Sequence, residues 1–300
     1  MKFSKIVCID ETGLTDAAID ALCQFTEEID RYSDIPANNE VIIERAQDAD
    51  VILVSWNTTI DAEVIAACEK LKYIGMCCSL YDADSANVDI KAAQHHGITV
   101  KGVKDYGDEG VVEFIISELI QLLKGLGQHQ WKPEPVELTG RKLGIIGMGK
   151  TGSMLADAAL AFGMEVYYYS RTRKTAIEAK GIGYLPLDDL LSTSDIISTH
   201  LPKHTTILNQ QHFSMLQPGA IIVNTSLGPT FHVPSFLAWV GQSGNYAILD
   251  ADGASGYTDL FNDTAGVILS DKVAGWTSEA RNRLSRKVVD NIRTYLKEAK

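Results

Sequence analysis

No stretch of this 300-residue chain is apolar for long enough to cross a membrane. A span needs roughly 18 or more uninterrupted apolar residues. The longest run, residues 111–123, is broken by Glu113 and Glu118. Basic charge is scarce too: 27 Lys/Arg stand against 39 Asp/Glu, a net −12. A nucleic-acid binder shows the opposite, a basic footprint. Neither a membrane nor a nucleic acid is therefore expected as a partner. Cysteine is limited to Cys8, Cys23, Cys68, Cys77 and Cys78. An odd count without metal-ligand spacing predicts reduced thiols in the cytoplasm, with no disulfide framework and no metal site. The start carries only a short apolar run ended by Asp10, which predicts a first strand rather than a signal peptide. Repeats and low-complexity segments are missing as well. What remains, 45% hydrophobic and 22% charged residues, is the composition of a soluble globular protein. The length suits two domains.

Strand-length apolar runs at 5–9, 51–56 and 73–78 alternate with helical patterns at 16–25, 60–70 and 85–96, the last ending at Gly97. A second series begins near residue 142, with strand runs at 142–147, 165–170, 195–201, 220–226, 247–250 and 267–269. Alternation of this kind predicts βαβ units and parallel sheets. Longer helices are expected at 110–125 and 277–297. Residues 281–300 carry seven Lys/Arg against Asp290 and Glu298. Taken alone, this basic tail reads as a solvated helix face.

Gly147-Met148-Gly149-Lys150-Thr151-Gly152 follows a predicted strand and opens a predicted helix. In that context G-x-G-x-x-G is a dinucleotide fingerprint: the glycines allow a tight turn and close backbone approach to a pyrophosphate at a helix N-terminus. The same stretch, from Gly144 to Thr151, also fits the G-x-x-x-x-G-K-[ST] loop of nucleotide triphosphatases. That reading needs a loop where the apolar run 143–146 predicts strand. The next strand ends at Ser170, 18 residues past Gly152, followed by Arg171, Thr172, Arg173 and Lys174. NAD selectivity usually rests on an acid near this point. A hydroxyl beside cations suits a 2′-phosphate instead. NADP(H) is the expected cofactor and NAD(H) the lesser alternative.

The order of parts resembles the D-isomer-specific 2-hydroxyacid dehydrogenase family over nearly the whole chain. The markers are Gly147 to Gly152, Ser194-Asp195 leading to His200-Leu201-Pro202, Leu216-Gln217-Pro218-Gly219 leading to Asn224, Leu249-Asp250, and Trp276 to Arg281. The resemblance implies an α/β fold of two Rossmann-like, doubly wound parallel-sheet domains, with the cofactor domain (110–280) inserted into a flavodoxin-like substrate domain (1–109 plus 281–300). It implies a homodimer and a small-molecule substrate. It also implies that the final helix returns to the first domain. Gly147, Gly149, Lys150, Thr151, Gly152, Ser170, Arg171, Thr172, His200, Leu201, Pro202, Thr225 and Asp250 would meet the cofactor. Cys77, Cys78 and Leu227 would meet the substrate.

The family's chemistry uses an Arg, a Glu and a His. In this sequence those positions hold Leu227, Ser255 and Lys272. A guanidinium grips a carboxylate in a fork that leucine cannot imitate. The catalytic candidates are then Lys272 as acid/base if burial tunes it, Asp252 as an ion partner of it alongside Asp271, and Ser255. Two readings follow: an NADP(H)-dependent oxidoreductase with a rebuilt site, acting on a small carbonyl or imine, or a catalytically inactive dinucleotide-binding sensor or scaffold.

Overall fold

The computed structural model describes residues 2–83 and 85–298. The chain divides into two compact units, Met1–Tyr106 with Thr277–Lys300, and Gly107–Trp276. The second interrupts the first in sequence. Residues 299 and 300 of the expected terminal segment lie outside the described residues.

The first unit runs β1 (Phe3–Cys8), α1 (Asp16–Leu22), β2 (Thr26–Arg31), α2 (Asn39–Ala46), β3 (Val51–Val54), α3 (Ala62–Ala67), β4 (Tyr73–Ser79), α4 (Ile90–His95) and β5 (Thr99–Val103). Its parallel sheet has the order β2-β1-β3-β4-β5. All four residues of β3 are buried, as expected of a central parallel strand covered on both faces. The two strands that the apolar pattern does not announce, β2 and β5, are the edges. β2 reads Thr-Glu-Glu-Ile-Asp-Arg, because an edge strand is paired on one side and tolerates charge.

The second unit runs α5 (Asp108–Lys124), β6 (Lys142–Ile146), α6 (Lys150–Ala161), β7 (Glu165–Tyr169), α7 (Thr175–Glu178), β8 (Gly183–Tyr184), α8 (Leu187–Thr193), β9 (Ile196–Thr199), α9 (Gln210–Phe213), β10 (Ile221–Asn224), α10 (Val233–Val240), β11 (Tyr246–Leu249), α11 (Thr258–Asn262) and β12 (Val267–Leu269). Its seven-stranded parallel sheet has the order β12-β11-β10-β9-β6-β7-β8. Chain order reverses between β6 and β9, the switch point outside which open α/β sheets bind ligands at the carboxyl ends of their strands. Gly144 lies inside β6, paired with Tyr167 and Ile197. That agrees with the strand expected at 143–146 and leaves no loop where the phosphates of a triphosphatase would sit.

The last helix, α12 (Ser278–Glu298), belongs to the first unit. Arg286, Arg293 and Lys297 are exposed, as expected of a basic tail, but other cations of the helix are engaged by backbone carbonyls. Arg283 Nε donates to Tyr106 O (2.8 Å), Lys287 Nζ to Lys104 O (2.7 Å) and Asn291 Nδ2 to Gly102 O (3.1 Å). Four residues of helix rise about 6 Å, close to the roughly 6.6 Å of two strand residues. Donors four apart therefore meet alternate carbonyls along β5 and its extension, and the helix covers this sheet edge.

Candidate functional site

The loops leaving the second unit's strands at their carboxyl ends are tied together in strand order. Gly147 N donates to Tyr169 O at 2.9 Å and His200 N to Ile146 O at 2.8 Å. Leu201 N donates to Ser226 Oγ at 3.0 Å. Gly228 N donates to Asp252 O at 2.9 Å, and Ala251 N to Lys272 O at 3.1 Å. Gly147 to Gly152, His200 to Pro202, Thr225, Leu227, Asp250, Asp252, Ser255 and Lys272, spread over 126 residues of sequence, thus come to one edge of one sheet.

The three glycines of the fingerprint are each required for a different reason. Gly147 has φ +100, and a Cβ there would lie 2.1 Å from His200 O. A Cβ on Gly152 would lie 2.3 Å from Gly147 O, so only glycine lets α6 pack this close to its strand. A Cβ on Gly149 would meet nothing within 4 Å. Gly149 is the N-cap of α6, and no side chain caps that helix. The first N–H groups of a helix lack intrahelical partners, and the dipole there favours an anion. An uncapped N-terminus with open space before it fits a dinucleotide pyrophosphate. Lys150 is exposed at the helix start. Thr151 is engaged otherwise: its hydroxyl donates to the buried Asp108 carboxylate of α5. Its contribution to a phosphate is therefore its backbone N–H.

At the end of β7, Ser170 Oγ donates to Thr172 O (2.7 Å), closing a small turn that holds Arg171 exposed. Among the described residues the Arg171 guanidinium has no hydrogen-bond or ion-pair partner. Arg173 does not share that freedom. Its guanidinium grips Glu178 through two bonds of 2.7 Å and lies over the Tyr184 ring.

Asn224, fully buried at the end of β10, organises the next loops. It accepts from Thr199 Oγ1 (2.9 Å) and Ser226 N (3.2 Å) and donates to Gly228 O and Gly253 O (3.1 Å each). Gly253 must be glycine, since its Cβ would lie 2.1 Å from Asn224 O. Sequence reasoning used Asn224 only as a landmark. The signal for its role is a polar residue closing an otherwise wholly apolar strand.

Asp250 is buried, with Oδ1 accepting from Gly253 N (2.7 Å) and Oδ2 from Ala274 N (2.8 Å). Burial raises its pKa above the ordinary carboxylate value, and the N–H groups oppose that rise. It holds two loops in place, a positioning role beside the expected cofactor contact. Asp252 is half-buried, and its carboxyl is pushed up to about 6, first by burial, then by the Asp250 charge, against Lys203.

His200 is tucked in with Nε2 3.0 Å from Ser198 Oγ, and burial lowers its pKa to about 4. The imidazole is neutral at pH 7. Because the unfolded chain takes up this proton near pH 6.5 and the folded chain only near 4, stability is full above 6.5 and is lost as pH falls through about 4. The loss reaches on the order of 2–3 kcal/mol. Denaturant unfolding between pH 7 and 4.5 should show a shallower pH slope in His200→Gln than in the native protein. Equal slopes would remove this assignment.

Two expectations need correction. Cys77 and Cys78, expected to meet the substrate, lie near the carboxyl end of β4, and both side chains are buried in the first unit. Burial raises the Cys77 thiol well above its ordinary value, so this side chain is a core residue rather than a substrate contact. Lys272 is not buried either: its side chain is 80% exposed and pairs with Asp271 at 3.0 Å. Burial, the route by which an ammonium becomes a tuned acid, is not provided here. Ser255 is exposed, with its N–H on Asp252 O. Leu227 is half-buried beside Gly228.

The family model described as D-isomer specific 2-hydroxyacid dehydrogenase, NAD binding domain, matches residues 115–251. The match supports membership in the D-isomer-specific 2-hydroxyacid dehydrogenase family. Family membership places it among the NAD(P)-dependent oxidoreductases. The hydroxypyruvate reductase of Blautia hydrogenotrophica is 29% identical over 282 residues, covering 86% of this chain and 85% of that one. The glyoxylate reductase of Korarchaeum cryptofilum is 29% identical over 296 residues, covering 88% and 85%. Among solved structures, an acyclic imino acid reductase (Bsp5) in complex with NADPH and D-Arg superposes with a TM-score of 0.85 at 26% identity, covering 98% of this chain and 97% of that one. No described helix of this family member is long and apolar enough to cross a membrane.

Proposed function

We propose that this family member is an NADP(H)-dependent reductase of a small carbonyl or imine compound, with NADH a weaker cofactor, working as a cytoplasmic homodimer. The observation that carries the reading is a cofactor edge fitted for a dinucleotide next to a catalytic set that has been replaced. The three glycines, the uncapped α6 and the tied loops would hold the dinucleotide. When bound, it supplies hydride at the nicotinamide. Leu227 and Ser255 cannot grip a carboxylate as a guanidinium does, nor tune a histidine. Lys272 and Lys203 are cations on the loops of this edge, and Lys272 is assigned the steadying of a substrate anion or developing oxyanion. Ser170 and the unpaired Arg171 support the 2′-phosphate preference. So does the NADPH held by the imino acid reductase of similar fold.

The test is a fluorescence titration with NADPH and NADH, followed by NADPH oxidation with 2-keto acids, with and without an amine. NADPH should bind the tighter. Arg171→Ala should weaken NADPH at least about tenfold while leaving NADH nearly unmoved, since a charge-assisted bond contributes roughly 1.5–3 kcal/mol. Lys272→Ala should lower turnover about tenfold at unchanged NADPH affinity, less than the roughly 10²–10⁴-fold of a positioned acid, because an exposed ammonium only steadies charge. Tighter NADH binding would overturn the cofactor assignment. NADPH binding without oxidation of any substrate would favour the sensor reading.

A further inference from the structure

We infer that Asp252 selects a substrate whose reacting carbon bears nitrogen, and that its carboxyl group gives the proton an imine nitrogen needs as hydride reaches the carbon. This rests on the reductase reading above and names the substrate class of that same site.

Leu227 stands where the resemblance places an arginine, and the next residue, Gly228, donates its N–H to the backbone carbonyl of Asp252 at 2.9 Å. Asp252 therefore belongs to the loop pressed against the altered position. A place that held a cation for an anionic substrate group now offers an apolar side chain with a carboxylate on the adjoining loop. A 2-keto acid presents carboxylate and carbonyl oxygens, which that carboxylate repels. An iminium or ammonium nitrogen is attracted by it.

Asp252 is also the acid of this loop with capacity to spare. Both oxygens of Asp250 are engaged by the N–H groups of Gly253 and Ala274. Among the described residues the Asp252 side chain has no hydrogen-bond or ion-pair partner. A half-buried carboxylate without a partner is unfavourable unless something arrives to complete it. The charged groups acting on it are Asp250 and Lys203, of opposite sign, and together with burial they place its titration near neutrality, at about 6. A group poised there can give a proton in one step and hold a cation in the next.

The step balances. The C=N π bond breaks as the Asp252 carboxylic acid gives its proton to nitrogen and the reduced nicotinamide gives hydride to carbon. One N–H and one C–H bond form, the dinucleotide is oxidised, and Asp252 is left as carboxylate. The amine then takes a proton from water, and the resulting ammonium pairs with that carboxylate. Lys272 and Lys203 remain for a carboxylate elsewhere on the substrate.

The test compares ligands of one carbon skeleton. Protein saturated with NADP+ is titrated calorimetrically with D-2-amino acids and with D-2-hydroxy acids of the same side chain, alanine against lactate and leucine against 2-hydroxyisocaproate. At least one amine should bind tenfold or more tighter than its hydroxy partner. Asp252→Asn should erase that preference without changing NADP+ affinity, and Asp252→Glu should restore part of it. In parallel, NADPH oxidation with pyruvate should rise at least tenfold when ammonium is added, and the rise should vanish in Asp252→Asn. Equal affinities within every pair, no measurable amine binding, or a preference that survives Asp252→Asn overturns the inference. Pyruvate reduction that is indifferent to both ammonium and Asp252→Asn would leave the reductase reading standing and remove this one alone. Failure to bind NADPH would remove both.

Discussion

Gly147→Ala should lower the melting temperature and abolish NADPH binding, whereas Gly149→Ala should leave the melt unchanged and weaken NADPH alone. The two glycines are two residues apart in one motif, and local propensity hardly distinguishes them. Their surroundings do. At Gly147 a methyl group meets a double obstacle. The backbone has φ +100, which an L side chain rarely adopts, and the new carbon would sit 2.1 Å from a carbonyl oxygen of the His200 backbone. Left-handed strain contributes roughly 1–2 kcal/mol, and the displaced backbone adds to it, for a total of about 3 kcal/mol. A unit of this size loses roughly 2–4 °C per kcal/mol, so the melt should fall by about 6–12 °C. Because His200 N is bonded to Ile146 O on the same turn, the shift would also disturb the contact between the β6 and β9 loops. At Gly149 the methyl group would enter open space. Folding would not register it, and only an anion approaching the α6 amides would. Calorimetric melting and NADPH titration of both variants separate the cases. A Gly149→Ala protein that binds NADPH normally would remove the pyrophosphate from this helix end.

Asn224→Ala should destabilise the second unit by about 4 kcal/mol, since each buried polar group left unpaired contributes roughly 1–3 kcal/mol. Five groups lose a partner: Thr199 Oγ1, Thr230 Oγ1, Ser226 N, Gly228 O and Gly253 O. Thr199 keeps a second contact through Thr230 Oγ1, and Ser226 Oγ still reaches Thr199 O, so the loss stays below the upper sum. NADPH affinity should fall with it, because the loops after β9, β10 and β11 are registered through this one amide. Chemical denaturation measures the first effect and dinucleotide titration the second. A loss under about 1 kcal/mol would show that the backbone bonds hold these loops unaided.

The central strands were legible because a parallel strand covered on both faces must be apolar throughout, as Val51–Val54 is. Edge strands carry no such demand, which is why β2, β5 and the two-residue β8 escape pattern reading. The terminal helix shows a related limit. Its basic residues resemble a solvated face in sequence, yet Arg283 and Lys287 complete carbonyls at a strand edge some 180 residues away in sequence.

By itself the sequence determined the alternation of strand and helix, the dinucleotide turn and the absence of an acid after β7, and its family resemblance set Leu227, Ser255 and Lys272 where arginine, glutamate and histidine are expected. These are properties of neighbours along the chain, where spacing and residue type suffice. Only the tertiary structure decided which polar groups are already taken. It buried Cys77, left Lys272 in solvent, bound Arg173 to Glu178 and engaged both oxygens of Asp250, while among the described residues Arg171 and the Asp252 carboxylate have no partner. The physical reason is the strand order. Loops distant in sequence become neighbours only when β12-β11-β10-β9-β6-β7-β8 lie side by side, and a side chain's partners, and so its chemistry, come from the loop beside it.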